Sequence, residues 1–499
     1  MSRFARLSLC FAALALVAAK PKPAMVAPEA APQPLVFADE AFRATQPPPA
    51  PLHPFTPPKP QVFQLASGLD VLLVERHELP TVSLQLLFDT GSEADPQGQE
   101  GLASVCLGLL AEGTQKLDRV AYQEALADLA SSVSSFADSD QEGLALSTLT
   151  RNLDATMELW ADALLHPGMR QEEFDRDIRR AKAGLQQIKG SPAALAARLA
   201  GRIAWGPGHP RGRFKTDKSL SALNLGGCRA LVARDLHPAG AHLFVVGDIT
   251  RTELEAKLTW HLRSWSGKAP GLVLPEPPKP AKGKVFFVAL PGAEQAVLSL
   301  VHGGPKRTDP DYQATALMAT LLGGGFSSRI NMNIREKHGY AYGARGGFDY
   351  YRGGSHFIAS ASVRNDTVSA SVTEILNEMK GMRDADVTPA ELSRDKEGAI
   401  LSLPARWATG RSILSTFQGL LYFGLPLDDY DHFIERVQAV TATAVRDAAK
   451  AHVQPGGVQV LCVGDPVQVR PQLEALVRKD GALQGGEIVE LDADGQVLQ

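Results

Sequence analysis

Cysteine and surplus charge are both scarce in this sequence. Four cysteines occur in 499 residues, and 55 acidic residues nearly balance 51 basic ones, which leaves a formal net charge of −4. Cysteine-dense scaffolds are small secreted domains, and a nucleic-acid backbone usually requires clustered positive charge. We therefore exclude a small disulfide-stapled scaffold and expect no nucleic-acid partner.

The N-terminal apolar run is too short to span a membrane. The run covers residues 7–19, about thirteen residues, whereas a helix that spans a membrane needs about 18 or more. Arg3 and Arg6 precede the run, and the small residues Val17-Ala18-Ala19 end it, as in a cleaved export signal. The sequence predicts a signal peptide over residues 1–19 and a mature chain without a membrane span, exported to the bacterial periplasm.

Signal removal would leave Cys106, Cys228 and Cys462. Three is an odd number, and their spacing is not that of a metal site. We interpret them as buried small hydrophobic residues.

Prolines concentrate in two short stretches. Thirteen of the 34 lie between Pro21 and Pro60, and five lie between Pro270 and Pro280. Such segments act as semi-rigid spacers. The predicted organisation is a linker or tether at 20–60, an N-terminal half at 61–266, an interdomain linker at 267–284, a C-terminal half at 285–480 and a tail at 481–499.

Hydrophobic periodicity predicts an α+β unit in the N-terminal half. Strands are expected at 62–64, 70–75, 81–88 and 242–247 and within 133–150, and helices at 99–112, 122–132, 153–165, 172–189, 192–203 and 225–235. Residues 205–213 (WGPGHPRGR) are expected to form a rigid surface loop.

The pattern of the first half then recurs in the second. Gly91 after the strand at 81–88 matches Gly303 at an offset of 212, and Leu109-Leu110 matches Leu321-Leu322 at the same offset. The segment 244–248 (FVVGD) is echoed by 461–465 (LCVGD) at an offset of 217. Similarity held in register over this length predicts an internal duplication.

Five segments resemble landmarks of the insulinase (pitrilysin-like) zinc metallopeptidase family, in the family's order. They are GSE at 91–93, GLASVCLGLLAEGT at 101–114, HPRGR at 209–213, GFSSR at 325–329 and IREKHGYAYG at 334–343. The resemblance covers about residues 60–480. It implies two similar halves joined by a linker, each half of two α+β repeats, which close like a clamshell on peptide substrates.

The zinc motif of that family, H-x-x-E-H, is missing. The resemblance places the first His at Ser104, the Glu at Leu107 and the second His at Gly108. The third ligand, a Glu about 75 residues further on, is absent as well, because no Glu occurs between Glu173 and Glu253. Catalytic zinc needs three protein ligands and an open water position, so we expect no metal in this chain.

Histidines elsewhere offer no substitute site. Of the twelve His residues, only His237 and His242 lie within five positions of each other, on either side of a Pro-Ala-Gly turn. This is not the spacing of a helical ligand pair. Gly323-Gly324-Gly325 lacks the Lys-Ser/Thr pair of a phosphate-binding loop, so close backbone approach explains these glycines better.

The second half retains a different part of the family's site. In the family, an Arg and a Tyr seven residues later reach across the chamber to bind substrate backbone and stabilise the oxyanion. Arg335 and Tyr342 match both residue types and the spacing. The alternative is that Arg335 is a solvated helix residue and Tyr342 one aromatic of a strand at 340–350.

These observations predict a non-catalytic subunit of a two-subunit zinc metallopeptidase. A zinc-bearing homologue would form the opposite wall of the chamber, and Arg335 and Tyr342 would act in trans on peptide substrates. Two alternatives stay open: a structural or peptide-binding pseudo-peptidase without hydrolysis, and a peptidase active alone through unrecognised ligands.

Overall fold

The computed structural model describes residues 44–45, 55–273, 275–276 and 283–498. The predicted signal peptide at 1–19, most of the tether at 20–60 and part of the linker at 267–284 lie outside these ranges.

The first half contains a six-stranded sheet and eight helices. The strands are β1 (Gln61–Gln64), β2 (Asp70–Glu75), β3 (Thr81–Phe88), β4 (Ser132–Ala137), β5 (Glu142–Leu149) and β6 (Ala241–Gly247). The helices are α1 (Leu102–Leu110), α2 (Arg119–Asp128), α3 (Leu153–Leu165), α4 (Gln171–Lys189), α5 (Pro192–Trp205), α6 (Asp217–Ser221), α7 (Leu225–Asp235) and α8 (Arg251–His261).

The second half has the same kind of composition. Its strands are β7 (Val285–Ala289), β8 (Gln295–Gly304), β9 (Ala341–Tyr351), β10 (Gly354–Arg364), β11 (Gln459–Gly464) and β12 (Ile488–Glu490). Its helices are α9 (Tyr312–Ala319), α10 (Arg329–Asn331), α11 (Val368–Asp384), α12 (Pro389–Leu401), α13 (Gly410–Tyr422), α14 (Phe433–Ala439), α15 (Ala442–His452) and α16 (Pro466–Val477).

The two sheets share one topology over five strands. The first has the order β1-β2-β6-β3-β5-β4, and the second has the order β12-β7-β11-β8-β10-β9. In each, β2 or β7 pairs in parallel with the last long strand of its half (β6 or β11), and the other shared pairings are antiparallel. The α+β class and the two-half organisation predicted from the sequence are confirmed. Each half is built on one sheet.

The outermost strands differ between the sheets. β1 precedes β2 in the chain and pairs with it antiparallel, whereas β12 comes from the predicted tail and pairs in parallel with β7. At the opposite edge of the second sheet, β10 is the only described strand that pairs with β9. One side of β9 therefore has backbone groups without a neighbouring strand.

Each half contributes a helix that covers part of the sheet of the other half. α5 of the first half packs across β8 and β11 through Leu195, Leu199 and Ile203. α13 of the second half packs across β6 through Ile413 and Phe417. Fully burying a side chain of this size contributes roughly 1.5–3 kcal/mol, so these helices account for much of the contact between the halves.

A disulfide joins Cys106 of α1 to Cys228 of α7. The interpretation of these two cysteines as unpaired small hydrophobic residues is therefore wrong, while Cys462 is free and buried in β11 as expected. The sequence offered no signal for the pairing, because the two residues lie 122 positions apart and only the packing of α1 against α7 brings them together. Among the helices of the described ranges, none is both long and apolar enough to cross a membrane.

Candidate functional site

The three positions that carry zinc chemistry in the insulinase family lie on α1. Asp95 caps this helix by accepting hydrogen bonds from the backbone N–H groups of Gly101 and Ala103. Leu107 is fully buried among core residues. The Ser104 hydroxyl donates to the carbonyl of Gly101, within its own helix. The helix is preserved as a packing element.

Charged residues of α4 occupy the space opposite these positions. A Cβ atom added at Gly108 would lie 3.6 Å from the Asp177 carboxylate. Arg176 lies between Asp177 and Glu112, with ion-pair distances of 3.7 and 2.7 Å. Arg180 also pairs with Asp177, at 3.2 Å. The carboxylates facing α1 are therefore already paired with arginines of the protein.

The third ligand position also falls on α4. The segment 179–186 (RRAKAGLQ) contains three cations and no carboxylate. Positive charge at this point opposes the binding of a divalent cation. Over the ranges that the structure describes, no group of three His, Cys, Asp or Glu side chains has the arrangement of a metal site. The residues present do not fit a zinc ion.

His237 and His242 make contacts that explain both residues without a metal. The two ring nitrogens of His237 lie 2.9 Å from the carbonyl oxygens of Ser266 and Ala233. His242 lies 3.5 Å from Asp70 and 3.6 Å from Asp89. His242 and its neighbours belong to the sheet, and His237 closes a turn.

Arg335 lies in a π-helical segment, Met332–Lys337, that follows α10. Such segments are rare and occur frequently at functional sites. Gly339 ends the segment with φ 64°, a conformation that favours glycine, and its N–H donates to the carbonyl of Arg335 at 3.0 Å. The chain then enters the edge strand β9, which carries Tyr342.

The structure brings Arg335 and Tyr342 together. The Arg335 guanidinium carbon lies 4.9 Å from the centre of the Tyr342 ring and 4.9 Å from the centre of the Phe326 ring. Glu336 lies 3.1 Å from Nε of the same guanidinium. The Tyr342 side chain is 88% exposed and Phe326 is 63% exposed, whereas the Arg335 side chain is 33% exposed. A guanidinium that contacts two aromatic rings is held in position, and the N–H groups of its two Nη atoms stay available.

Phe326 is a site residue that the sequence reasoning did not single out. Its place in the GFSSR segment, one of the family landmarks, was the only signal in the sequence. Asn331 fixes the loop that carries it: the amide donates to the Phe326 carbonyl at 2.6 Å and accepts from the Ala344 N–H of β9 at 3.0 Å. Gly323 allows this loop to approach β9, since a Cβ atom there would lie 2.4 Å from the Gly346 nitrogen.

Arg335, Tyr342 and Phe326 line a pocket of about 720 Å³. Its floor is the outer face of β8, β9 and β10, with Ser299 and Ser360 among the polar residues, and α5 forms one side. An open pocket with a positive group, hydroxyls and backbone of a sheet edge can bind an extended peptide and place donors near a carbonyl oxygen.

The segment 205–213 was expected to be a surface loop, but most of it is at least partly buried at the junction of the two halves, and only Pro207 and Gly208 are exposed. Trp205 and His209 are buried, and their rings are 4.7 Å apart. The Arg211 side chain is 4% exposed and pairs with Glu93 at 2.9 Å and Asp140 at 2.7 Å. The glycines and proline indicated a rigid loop, but the sequence did not show that this loop would be covered by the second half.

The tip of the β9–β10 hairpin completes this junction. Tyr351 presents its ring to the Arg211 guanidinium at 3.8 Å, and Arg352 pairs with Asp89 of the first half. Tyr422 of α13 donates from its hydroxyl to Asp140. Side chains of both halves therefore share one buried polar network, which we call the junction network.

Burial changes the protonation of groups in the junction network. It raises the pKa of the Glu93 carboxyl to about 7, against the opposing effect of the Arg211 charge. It also lowers the pKa of His356, whose ring accepts a hydrogen bond from the Trp205 indole at 3.3 Å. A neutral imidazole is what that hydrogen bond requires.

Comparison with known proteins agrees with this geometry. Residues 70–206 match the profile of the insulinase family (peptidase family M16), and residues 229–398 match that of the peptidase M16 inactive domain. The chain belongs to the insulinase family. One relative, the non-peptidase homolog YmxG of Helicobacter pylori, is 25% identical to this chain, and the match covers 77% of this chain and 89% of the relative.

Solved structures of the insulinase family show the same fold. The peptidase M16 inactive domain of Pseudomonas fluorescens superposes with a TM-score of 0.75 at 24% identity, covering 81% of this chain and 98% of that one. The periplasmic protease PqqL of Escherichia coli gives a TM-score of 0.71 at 15% identity, covering 82% of this chain and 45% of that one. The fold is thus shared with an inactive domain and with a protease, so activity has to be judged from the residues at the zinc positions.

Proposed function

We propose that this chain is the non-catalytic subunit of a two-subunit zinc metallopeptidase. A zinc-bearing homologue would supply the metal, and Arg335 and Tyr342 of this chain would complete the active site in trans. The substrate would be a peptide bound in the pocket along β9.

The observation that carries this proposal is the contrast between the two halves. In the first half, Ser104, Leu107 and Gly108 replace the zinc ligands and the catalytic Glu, and arginines fill the facing helix. In the second half, Arg335 and Tyr342 lie side by side on an open pocket. A chain that had become only a scaffold would have no need to hold an arginine between two exposed aromatic rings.

The chemical role of the pair follows from its donors. The Arg335 guanidinium offers several N–H groups in a fixed plane, and the Tyr342 hydroxyl offers one more. Donors aimed at a carbonyl oxygen as it gains negative charge stabilise the tetrahedral intermediate by several kcal/mol. Burial of the pocket by a partner would strengthen these interactions by removing water.

Export to the periplasm is part of the proposal. The Cys106–Cys228 disulfide supports it, because disulfides persist in oxidising compartments and are rare in the cytosol. The periplasmic origin of the structurally similar PqqL points the same way.

The second candidate function is a peptide-binding or structural pseudo-peptidase. The relative described as a non-peptidase homolog favours it. It predicts the same empty zinc positions and the same pocket, but no effect of Arg335 or Tyr342 on any hydrolysis.

The deciding experiment measures turnover of the assembled complex. The chain is co-expressed with a zinc-bearing homologue from the same cells, and Arg335→Ala and Tyr342→Phe are compared with the parent. We expect each to lower turnover at least about tenfold, because a preorganised oxyanion donor typically contributes more than this. Arg335→Lys should restore turnover only in part, since an ammonium lacks the planar fork of donors.

Matched controls lie two residues from each tested position. Lys337→Ala removes an exposed cation, and Tyr340→Phe removes a hydroxyl from a ring that stacks on His338. Neither residue lines the pocket. Turnover within about twofold of the parent for Arg335→Ala and Tyr342→Phe would reject the role in trans and leave the pseudo-peptidase function.

A further inference from the structure

A second pocket, separate from the one at Arg335, lies among the helices of the second half. It has a volume of about 680 Å³ and is framed by α9, α12 and α14. Four arginines line it: Arg307, Arg394, Arg406 and Arg436. We call it the arginine pocket. The insulinase resemblance assigns no role to it.

Only two of the four guanidinium groups are closely matched by carboxylates. Arg394 Nε lies 2.8 Å from Asp395, and Arg436 lies 3.1 Å from Asp429. Arg307 approaches Asp429 only to 3.9 Å. Within the described ranges, no carboxylate lies at ion-pair distance from Arg406. The third aspartate of the lining, Asp309, accepts a hydrogen bond from the Lys306 N–H and shapes the turn before α9.

The two less neutralised arginines each lie near an aromatic ring. The Arg307 guanidinium carbon lies 3.5 Å from the centre of the Tyr312 ring, and that of Arg406 lies 5.6 Å from the centre of the Tyr430 ring. Close contact with its ring holds the Arg307 guanidinium in place and leaves its N–H groups free at the edges. Little side-chain entropy then remains to be lost when an anion binds.

Part of the lining is apolar. Leu317, Leu425 and Phe433 face the same cavity. We propose that the arginine pocket binds a small ligand that combines an anionic oxygen group, carboxylate or phosphate, with an apolar body. The anionic group binds Arg307 and Arg406, and the apolar body packs on the leucines and the phenylalanine.

One loop separates this pocket from the Arg335 pocket. Ser327 lines the arginine pocket, whereas the preceding residue, Phe326, lines the other and stacks on Arg335. The two ligand sites are therefore distinct but adjacent through a single peptide segment. Ligand binding to the arginine pocket does not depend on the zinc-bearing partner, so it can be tested on this chain alone.

The test compares three probes by titration calorimetry with the mature chain. N-acetyl-phenylalanine and phenyl phosphate carry the anionic group on an apolar body, and the carboxamide of N-acetyl-phenylalanine is the neutral match. We expect at least one anionic probe to bind at least about tenfold more tightly than the carboxamide, because charge-assisted hydrogen bonds are roughly twice as strong as neutral ones. The preferred anion then identifies whether the natural ligand presents a carboxylate or a phosphate.

Variants assign the binding to the pocket. Arg406→Gln removes a guanidinium that pairs with no carboxylate of the described residues, and it should weaken the anionic probe at least about fivefold, with the melting temperature nearly unchanged. Arg411→Gln is the matched control, because Arg411 is exposed on α13 and does not line the pocket. Equal binding of acid and carboxamide, equal binding by Arg406→Gln and parent, or no binding of either anion would overturn the proposal.

Discussion

Reduction of the Cys106–Cys228 disulfide should destabilise the first half of the chain. The bond closes a loop with a sequence separation of 122 residues. For a loop of that length, the chain-entropy relation gives about 5 kcal/mol at 25 °C, and native disulfides deliver typically about 2–4 kcal/mol. We therefore expect a loss of about 3 kcal/mol. The two halves share their covering helices and unfold together as a unit of roughly 440 residues, so this lowers the melting temperature by about 3 °C.

The assay is calorimetric unfolding of the mature chain with and without reductant. Reduction is preferable to mutation alone, because it removes the bond and leaves the sulfur atoms in the core. The variant with both Cys106→Ala and Cys228→Ala should melt at the same temperature with and without reductant. Cys462→Ala truncates a buried, unpaired cysteine and should keep the full response to reductant.

Thiol titration provides an independent check of the same bond. After removal of the signal peptide, the unfolded, unreduced chain should show one reactive thiol, that of Cys462. Three reactive thiols, or a melting temperature that changes by less than about 1 °C on reduction, would refute the reasoning.

Two further predictions concern the first half. Because the pKa of Glu93 is raised to about 7 in the folded state from 4.5, the folded chain binds more protons between these values, so its stability falls as pH rises from about 5 to 7. Glu93→Gln should reduce this fall in the free energy of unfolding, by the order of a few kcal/mol, when denaturant titrations are made at several pH values. An unchanged dependence on pH would contradict the assignment. The chain with His at 104 and 108 and Glu at 107 should still hydrolyse no peptide by itself, because the Asp177 carboxylate of α4 that faces these positions is already paired with Arg176 and Arg180; chelator-sensitive cleavage would show otherwise.

The elements that follow a simple period were predictable from the sequence. Strand β3 was predicted with the bounds that it has, and α1 differs by only a few residues at each end. The second helix was placed three residues late, because the N-cap Asp118, which accepts from Ala121 N–H, was overlooked. Its predicted end also reached the first residue of β4, whereas Ser131, just before that strand, hydrogen-bonds with Thr148 and Thr156.

Contacts between distant segments were not predictable. Arg335 and Tyr342 were found because they are close in sequence and match a family pattern. The disulfide, the burial of Arg211 and the aromatic partner Phe326 depend on how helices and halves pack, which local periodicity does not encode. Charge balance likewise gave no sign that four arginines would converge on one pocket, since the chain as a whole is nearly neutral.

The exchange of α5 and α13 between the halves has a consequence for fragments of this protein. Neither half on its own can cover the outer face of its sheet, because the covering helix belongs to the other polypeptide segment. Either half expressed separately should expose that apolar face and aggregate. The two fragments made together should associate into a nicked molecule with the same fold, because α5 and α13 each pack on the sheet of the other fragment. The pair would form more slowly than the intact chain folds, because no peptide connects the fragments. Its stability once formed would depend on α5 and α13.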